Sequence, residues 1–244
     1  MTGQRFRERI YANYTAATCA PLAPDTRAGL EPRRAQLTRM VRAHFPQARD
    51  ARILELGCGH GALLHFAREL GYTRIEGVDG SPAQVAAARR LGIEGIREGS
   101  LFDALAAAAP ESYDAVILFD VLEHLTRDEC IDAIDAIARV LKKGGRLILH
   151  VPNGASPFGT LMIYSDLTHE IAFTPESLAQ LFLASGWARV DCFEDPPAVH
   201  GAASFLRAVL WKGIRAALRF YLAVETGSRR HDVLTQNLFA VAVK

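Results

Sequence analysis

The stretch ELGCGHG, residues 55–61, sets three glycines at alternate positions between an apolar run, ARILEL (51–56), and the start of a helical pattern. Glycines so spaced permit a tight turn in which the backbone comes close to a ligand, and the helix that follows offers unpaired N–H groups and the positive end of its dipole. Strand, glycine turn and helix in this order belong to a parallel sheet covered by helices, with a ligand crevice at the carboxyl ends of the strands. Asp79 ends the next apolar run, 22 residues beyond Gly57, where an acceptor can take both hydroxyls of an adenosine ribose. The loop alone leaves the cofactor open, because Gly57, Gly59 and Ala62 also satisfy the G-x-G-x-x-A form of a dinucleotide fingerprint.

The rest of the chain extends this pattern. Short apolar runs at 51–56, 74–79, 95–99, 113–119, 145–151, 187–193 and 235–243 alternate with helical periodicity and predict an α/β fold with a mostly parallel seven-stranded sheet. Ser81 followed by Pro82 predicts a helix start. Thr126 and Glu129 form a capping box for a helix that Gly144 and Gly145 are expected to stop after Lys142 and Lys143, and Thr174, Pro175 and Ser177 open another. Residues 1–50, interrupted by Pro21, Pro24, Pro32 and Pro46, read as a helical cover, and residues 51–244 as the core. Within that core, 195–234 is read as an insertion where a short hairpin would suffice to join the last two strands. Its helical segment carries Phe205, Val209, Ala216 and Phe220 near one side and Lys212, Arg215 and Arg219 near another. Two readings stay open for it: a helix packed on its own domain with its charges in water, or a basic amphipathic face laid on a membrane surface or a partner.

The 244 residues carry a net charge of +1, which gives no reason to expect a nucleic-acid partner. The distribution is uneven: net +5 over 1–50, −9 over 51–200 and +5 over 201–244. Cys19, Cys58, Cys130 and Cys192 include no CxxC pair, which argues against a disulfide scaffold and a cysteine zinc site. The first residues lack the apolar core of a signal peptide, and no apolar run reaches the roughly 20 residues of a membrane span. A reducing, cytoplasmic setting is therefore expected, with the inner face of the membrane as the place of any contact.

ELGCGHG, GVDGS (77–81), FDVLEHL (119–125) and LKKGGRLIL (141–149) together resemble the class I methyltransferases that use S-adenosylmethionine and release S-adenosylhomocysteine. The resemblance implies a Rossmann-like fold and a cofactor held by Glu55, Gly57, Cys58, Gly59 and Gly61 in the loop and by Asp79, Gly80 and Ser81 at the ribose. Ser100 and Leu101 would flank the adenine, and Phe119, Asp120 and Val121 would hold the methionine portion. The chain departs from the pattern at Gly99-Ser100, where many members have Gly-Asp, so adenine recognition would fall to the Ser100 hydroxyl, backbone groups or Asp103. Tyr11 and Tyr14 resemble N-terminal aromatics that close over the cofactor in similar enzymes.

Methyl transfer to a hydroxyl needs an aligned nucleophile and removal of its proton. Glu123 and His124 follow the fourth strand, at the edge where the crevice lies, and Tyr164, Asp166, Thr168, His169 and Glu170 follow the fifth. His124 or His169 is expected to be the base, with Glu123, Tyr164, Asp166, Glu170 and His200 facing the acceptor. These carboxylates and histidines also permit a divalent metal, but no compact spacing such as HExxH is present, and no metal is expected. VPNGASPFG (151–159), SDLTHEIAFTPESLAQLFLASGW (165–187), EDPPAVHG (194–201) and ETG (225–227) resemble a bacterial group associated with surface-polysaccharide or lipopolysaccharide biosynthesis. That resemblance implies O-methylation of a glycan or of a nucleotide-linked or lipid-linked glycan precursor. The alternatives are a quinone, phenol or other small-molecule acceptor, and a noncatalytic scaffold that binds the cofactor.

Overall fold

A computed structural model describes residues 23–227 and 232–244, together with Phe6, Arg9 and Ile10. Tyr11, Tyr14 and Cys19 lie outside the described residues. After a short 3-10 turn, α1 (Glu31–His44) leads into an alternating series: β1 (Ile53–Leu56), α2 (Ala62–Glu69), β2 (Ile75–Asp79), α3 (Pro82–Arg90), β3 (Ile96–Glu98), α4 (Leu101–Ala107) and β4 (Tyr113–Phe119). There follow α5 (Arg127–Val140), β5 (Leu141–Pro152), α6 (Gly159–Tyr164), α7 (Pro175–Ala184), β6 (Val190–Glu194), α8 (Ala202–Thr226) and β7 (Asn237–Val243). The strands form one sheet in the order β3-β2-β1-β4-β5-β7-β6. β7 runs antiparallel to both β5 and β6, and the other pairings are parallel. This is the Rossmann-like class I methyltransferase sheet expected from the sequence.

Both faces of the sheet are covered, so its strands are apolar nearly throughout, and alternation sorts their side chains between two cores. Leu54, Leu56, Val116, Leu118, Leu147 and Leu149 pack with Ile134 and Ile137 of α5 and Leu178 and Phe182 of α7. Ile53, Ala115, Ile117, Phe119, Ile148 and Phe239 face the other way, onto Leu37 and Met40 of α1 and Leu63 and Phe66 of α2. Chain order reverses between β1 and β4, and a ligand crevice opens at their carboxyl ends.

The helix starts obey local chemistry. Ser81 accepts from Gln84 N, and capping boxes join Thr126 to Glu129 and Thr174 to Ser177. One predicted stop is corrected. α5 ends at Val140, before the lysines, because Leu141 is buried and already paired with Tyr113, and Lys142 Nζ reaches Asp114 Oδ1 at 2.7 Å. A register shift in β4 takes up the residues between, with Gly144 at φ +75° turning the chain.

The ion pairs of α8 are with its own domain. Its Arg215 pairs with Glu194 at 2.7 Å and its Arg219 with Asp232 at 2.8 Å, so part of the basic side is tied to its own domain. Phe205, Leu206, Leu210 and Phe220 are instead exposed, Phe220 by 73%. No helix among the described residues is long and apolar enough to cross a membrane. Cys58, Cys130 and Cys192 are free thiols.

The Thr126 cap gives a test of the local reading. Thr126→Ala removes the acceptor for Glu129 N and is expected to lower unfolding free energy by about 1 kcal/mol in urea denaturation, whereas Thr126→Ser should retain most of it.

Candidate active site

At the crevice lies a cavity of about 870 Å³, a size suited to a cofactor with room for an acceptor. Glu55, Gly57, Cys58, Gly59, Asp79, Gly80, Ser81, Ser100, Leu101, Phe119, Asp120, Val121 and His124 line it, which gathers most of the expected residues in one place. Gly57 has φ +71°, and a Cβ there would overlap Val121 Cγ2, so glycine is required both by conformation and by space. Gly61 is not part of the lining: it caps α2 at φ +81° against Ile96, a turn role rather than a contact role.

Asp79 holds the loop. One of its oxygens accepts from Gly59 N at 2.6 Å and the other from Ser81 N at 2.8 Å. A carboxylate offers about four acceptor positions, so the pair still has capacity for two hydroxyls. Burial raises its pKa, against the pull of those two N–H donors. Glu55 is buried beneath the loop, its pKa pushed up to about 8 by burial, with nearby Arg33 opposing. Its Oε2 has no hydrogen-bond partner among the described residues, an acceptor placed for an ammonium donor. Ser100 caps α4 by accepting from Phe102 N at 3.1 Å, and Phe102 joins the lining while Asp103 does not.

Arg33 also lines the cavity, and sequence reasoning missed it. Its guanidinium lies 5.5 Å from the Phe119 ring centroid. The signal was present: on α1 it stands three residues after buried Leu30 and four before buried Leu37, a charge on an apolar stripe.

The mouth is ordered by a hydrogen-bond chain. Thr168 Oγ1 donates to Asp166 Oδ1 at 2.7 Å and lies 2.8 Å from His124 Nδ1. With the hydroxyl proton directed to Asp166, Thr168 accepts from Nδ1–H, the tautomer whose basic atom is Nε2. Burial, and then His169, lower the His124 pKa and favour its neutral form. The His169 ring is centred 4.7 Å from that of His124, and the main-chain N–H of Glu170 donates to Glu123 O at 2.7 Å, which docks this segment on the mouth.

Glu123, His124 and His169 each offer a ligand atom, all within 4.8 Å of one another. Glu123 is buried, its Oε2 has no hydrogen-bond partner among the described residues, and burial followed by Asp120 raises its pKa. These three residues form a set that could hold a divalent cation. Of the residues expected to serve the acceptor, Glu123, Asp166, His169 and Glu170 do not line the cavity, and two more are placed away from it. Tyr164 ends α6 with 81% of its surface in solvent and does not line the cavity. His200 lies in a separate cleft against Arg34, Thr38 and Arg42 of α1, because its backbone N–H is fixed at the start of α8 by Ser204 Oγ at 2.8 Å.

Comparison with known proteins agrees with this geometry. Residues 30–191 match the family model described as a methyltransferase domain, and the chain belongs to that family. It is an S-adenosylmethionine-dependent methyltransferase. It is 38% identical over 122 residues to the ubiquinone biosynthesis O-methyltransferase of Xanthomonas oryzae pv. oryzae (strain PXO99A), covering 46% of this chain and 49% of that one. It is 35% identical over 107 residues to the enzyme of the same name from Xylella fastidiosa (strain 9a5c), covering 42% of each. The chain thus matches about half the length of these relatives. The fold is similar to that of a SAM-dependent methyltransferase from Archaeoglobus fulgidus, with a TM-score of 0.66 at 17% identity over 97% of this chain and 99% of that one.

His150, on β5, lies beneath this site between Asp120 and Asp195, and those carboxylates raise its pKa to about 9 despite its burial. A histidine raised above its unfolded value of about 6.5 contributes stability below that pH and loses it as pH rises through the folded value. The melting temperature of the wild type relative to His150→Gln is therefore expected to fall between about pH 6.5 and pH 9; a difference constant across that window would contradict a charged His150.

Proposed function

We propose that this methyltransferase acts on a hydroxyl of a small aromatic acceptor of the quinone or phenol type, with His124 as the proton acceptor. The His124–Thr168–Asp166 chain carries the reading, since it holds the imidazole of His124, which lines the cavity, in the tautomer whose basic atom is Nε2. The two ubiquinone biosynthesis relatives support the acceptor class. So do the apolar side chains of the cavity, with Phe102, Phe119, Val121 and Leu125 in its lining. This reading stands ahead of the glycan acceptor expected from the sequence.

S-adenosylmethionine supplies the methyl group as an electrophilic sulfonium when bound. Asp79 would hold the ribose hydroxyls, the Ser100–Phe102 segment the adenine, and Glu55, Arg33 and Asp120 the ammonium and carboxylate of the methionine end. An acceptor hydroxyl held beside His124 would give its proton to that imidazole as it takes the methyl group the cofactor supplies. Thr168 and Asp166 steady the imidazolium that results. Much of the acceleration comes from alignment, so base removal leaves a residual rate.

One assay separates the readings. Purified protein, labelled cofactor, and a panel of phenols, quinols, nucleotide sugars and lipid-linked glycans should yield label in a ring hydroxyl, with His124→Ala lowering kcat by about 10²- to 10⁴-fold at unchanged cofactor affinity. The rate should survive EDTA. Label confined to a sugar would restore the glycan reading, and activity lost to EDTA and regained with a divalent cation would reassign Glu123, His124 and His169 to metal binding.

A further inference from the structure

Asp120 sits at the methionine end of the cavity in a conformation few residues adopt, with φ +56°. A side chain held this way on a loop needs support from behind, and the support is a column of polar groups through an otherwise apolar core. His150 is 1% exposed and stacks on Phe119, ring centroids 4.2 Å apart and planes 19° from parallel. Its Nδ1 lies 2.5 Å from Asp120 Oδ1, and its main-chain oxygen accepts from Asp120 N at 3.0 Å. On the far side its Nε2 faces Asp195 Oδ2 at 3.5 Å, an ion-pair contact without a hydrogen bond, on the segment that leads from β6 into α8. Asp195 in turn accepts from Gln36 Nε2 at 2.6 Å and Arg39 Nη2 at 2.5 Å, both on α1. The same helix, one turn earlier, contributes Arg33 to the cavity.

We propose that His150 is a positioning residue that fixes the Asp120 carboxylate for the cofactor, with Asp195, Gln36 and Arg39 fixing His150 in turn. The column makes the seating of α1 and of the β6–α8 junction a determinant of cofactor affinity, although neither Asp195 nor Arg39 lines the cavity. It rests on the cofactor occupying this cavity as described above, and it adds a chain of contacts that runs from the loop at Asp120 to α1 and the segment before α8. A buried histidine kept only for packing would tolerate an apolar replacement of similar size, whereas a positioning donor would not.

Calorimetric titration with S-adenosylhomocysteine tests this. His150→Leu, which keeps bulk and loses the donor, should weaken binding by about tenfold, the loss of one charge-assisted hydrogen bond, and His150→Asn, whose amide stands near the place of Nδ1, should recover most of it. Asp195→Asn leaves His150 in place and should weaken binding about threefold, which keeps the test open if His150→Leu does not fold. Asp79→Asn serves as the control for the cavity itself. Wild-type affinity in His150→Leu, or in Asp195→Asn should the leucine variant not fold, alongside weakened binding in Asp79→Asn, would overturn the positioning role. Unchanged affinity in Asp79→Asn would overturn the cavity assignment on which that role rests.

Discussion

Asp79 joins two turns that have no covalent reason to meet. Its oxygens take Gly59 N from the turn after β1 and Ser81 N from the turn after β2, at 2.6 and 2.8 Å. Because β1 and β2 are adjacent and parallel, with Leu56 beside Val78, both turns emerge at one edge of the sheet and a single carboxylate can span them. The shape of the cavity floor follows from that bridge: Gly57 is pressed against Val121, Glu55 is sealed below, and Gly59 lies beside the Gln84 side chain. Burial works against an ionised carboxyl here, and the two backbone donors work for it, so the interaction is strongest with the loop in this one conformation.

The two faces of the sheet do different work. The face toward α5 and α7 is apolar in the middle of the sheet and serves cohesion. The face toward α1 and α2 has the same apolar residues near the middle of the strands, but at their carboxyl ends it turns polar, with Glu55 on β1 and His150 on β5. A buried polar group is costly unless paired, and besides Asp120 after β4 the charges that face this layer come from elsewhere in the chain: Arg33 and Arg39 from α1 and Asp195 from beyond β6. The helix before the core is thereby bound to the site by charge as well as by Leu37 and Met40.

What was legible in the sequence was local. The glycine loop, Asp79, the Ser81, Thr126 and Thr174 caps and the succession of strands and helices in an α/β fold all depend on neighbours within a few residues, or on a period of two or 3.6. What was not legible depended on long-range partners. The end of α5 turns on Lys142 meeting Asp114, Arg33 reaches the cavity from a helix that carries no motif, and His150 in LILHVP reads as core until Asp120 and Asp195 are seen on either side. Tyr164 and His200 err in the opposite direction. Each lies in sequence beside residues of the mouth or its supports, but one side chain is in solvent and the other in a cleft against the far side of α1.

A crystal structure of the chain with S-adenosylhomocysteine measures the central claim most directly. The ribose hydroxyls are expected on Asp79, the adenine beside Ser100 and Leu101, the amino group against Glu55 and Asp120, and the thioether sulfur turned toward His124. A nucleoside bound outside this cavity, or in it with its ribose away from Asp79, would contradict the placement of every residue named above.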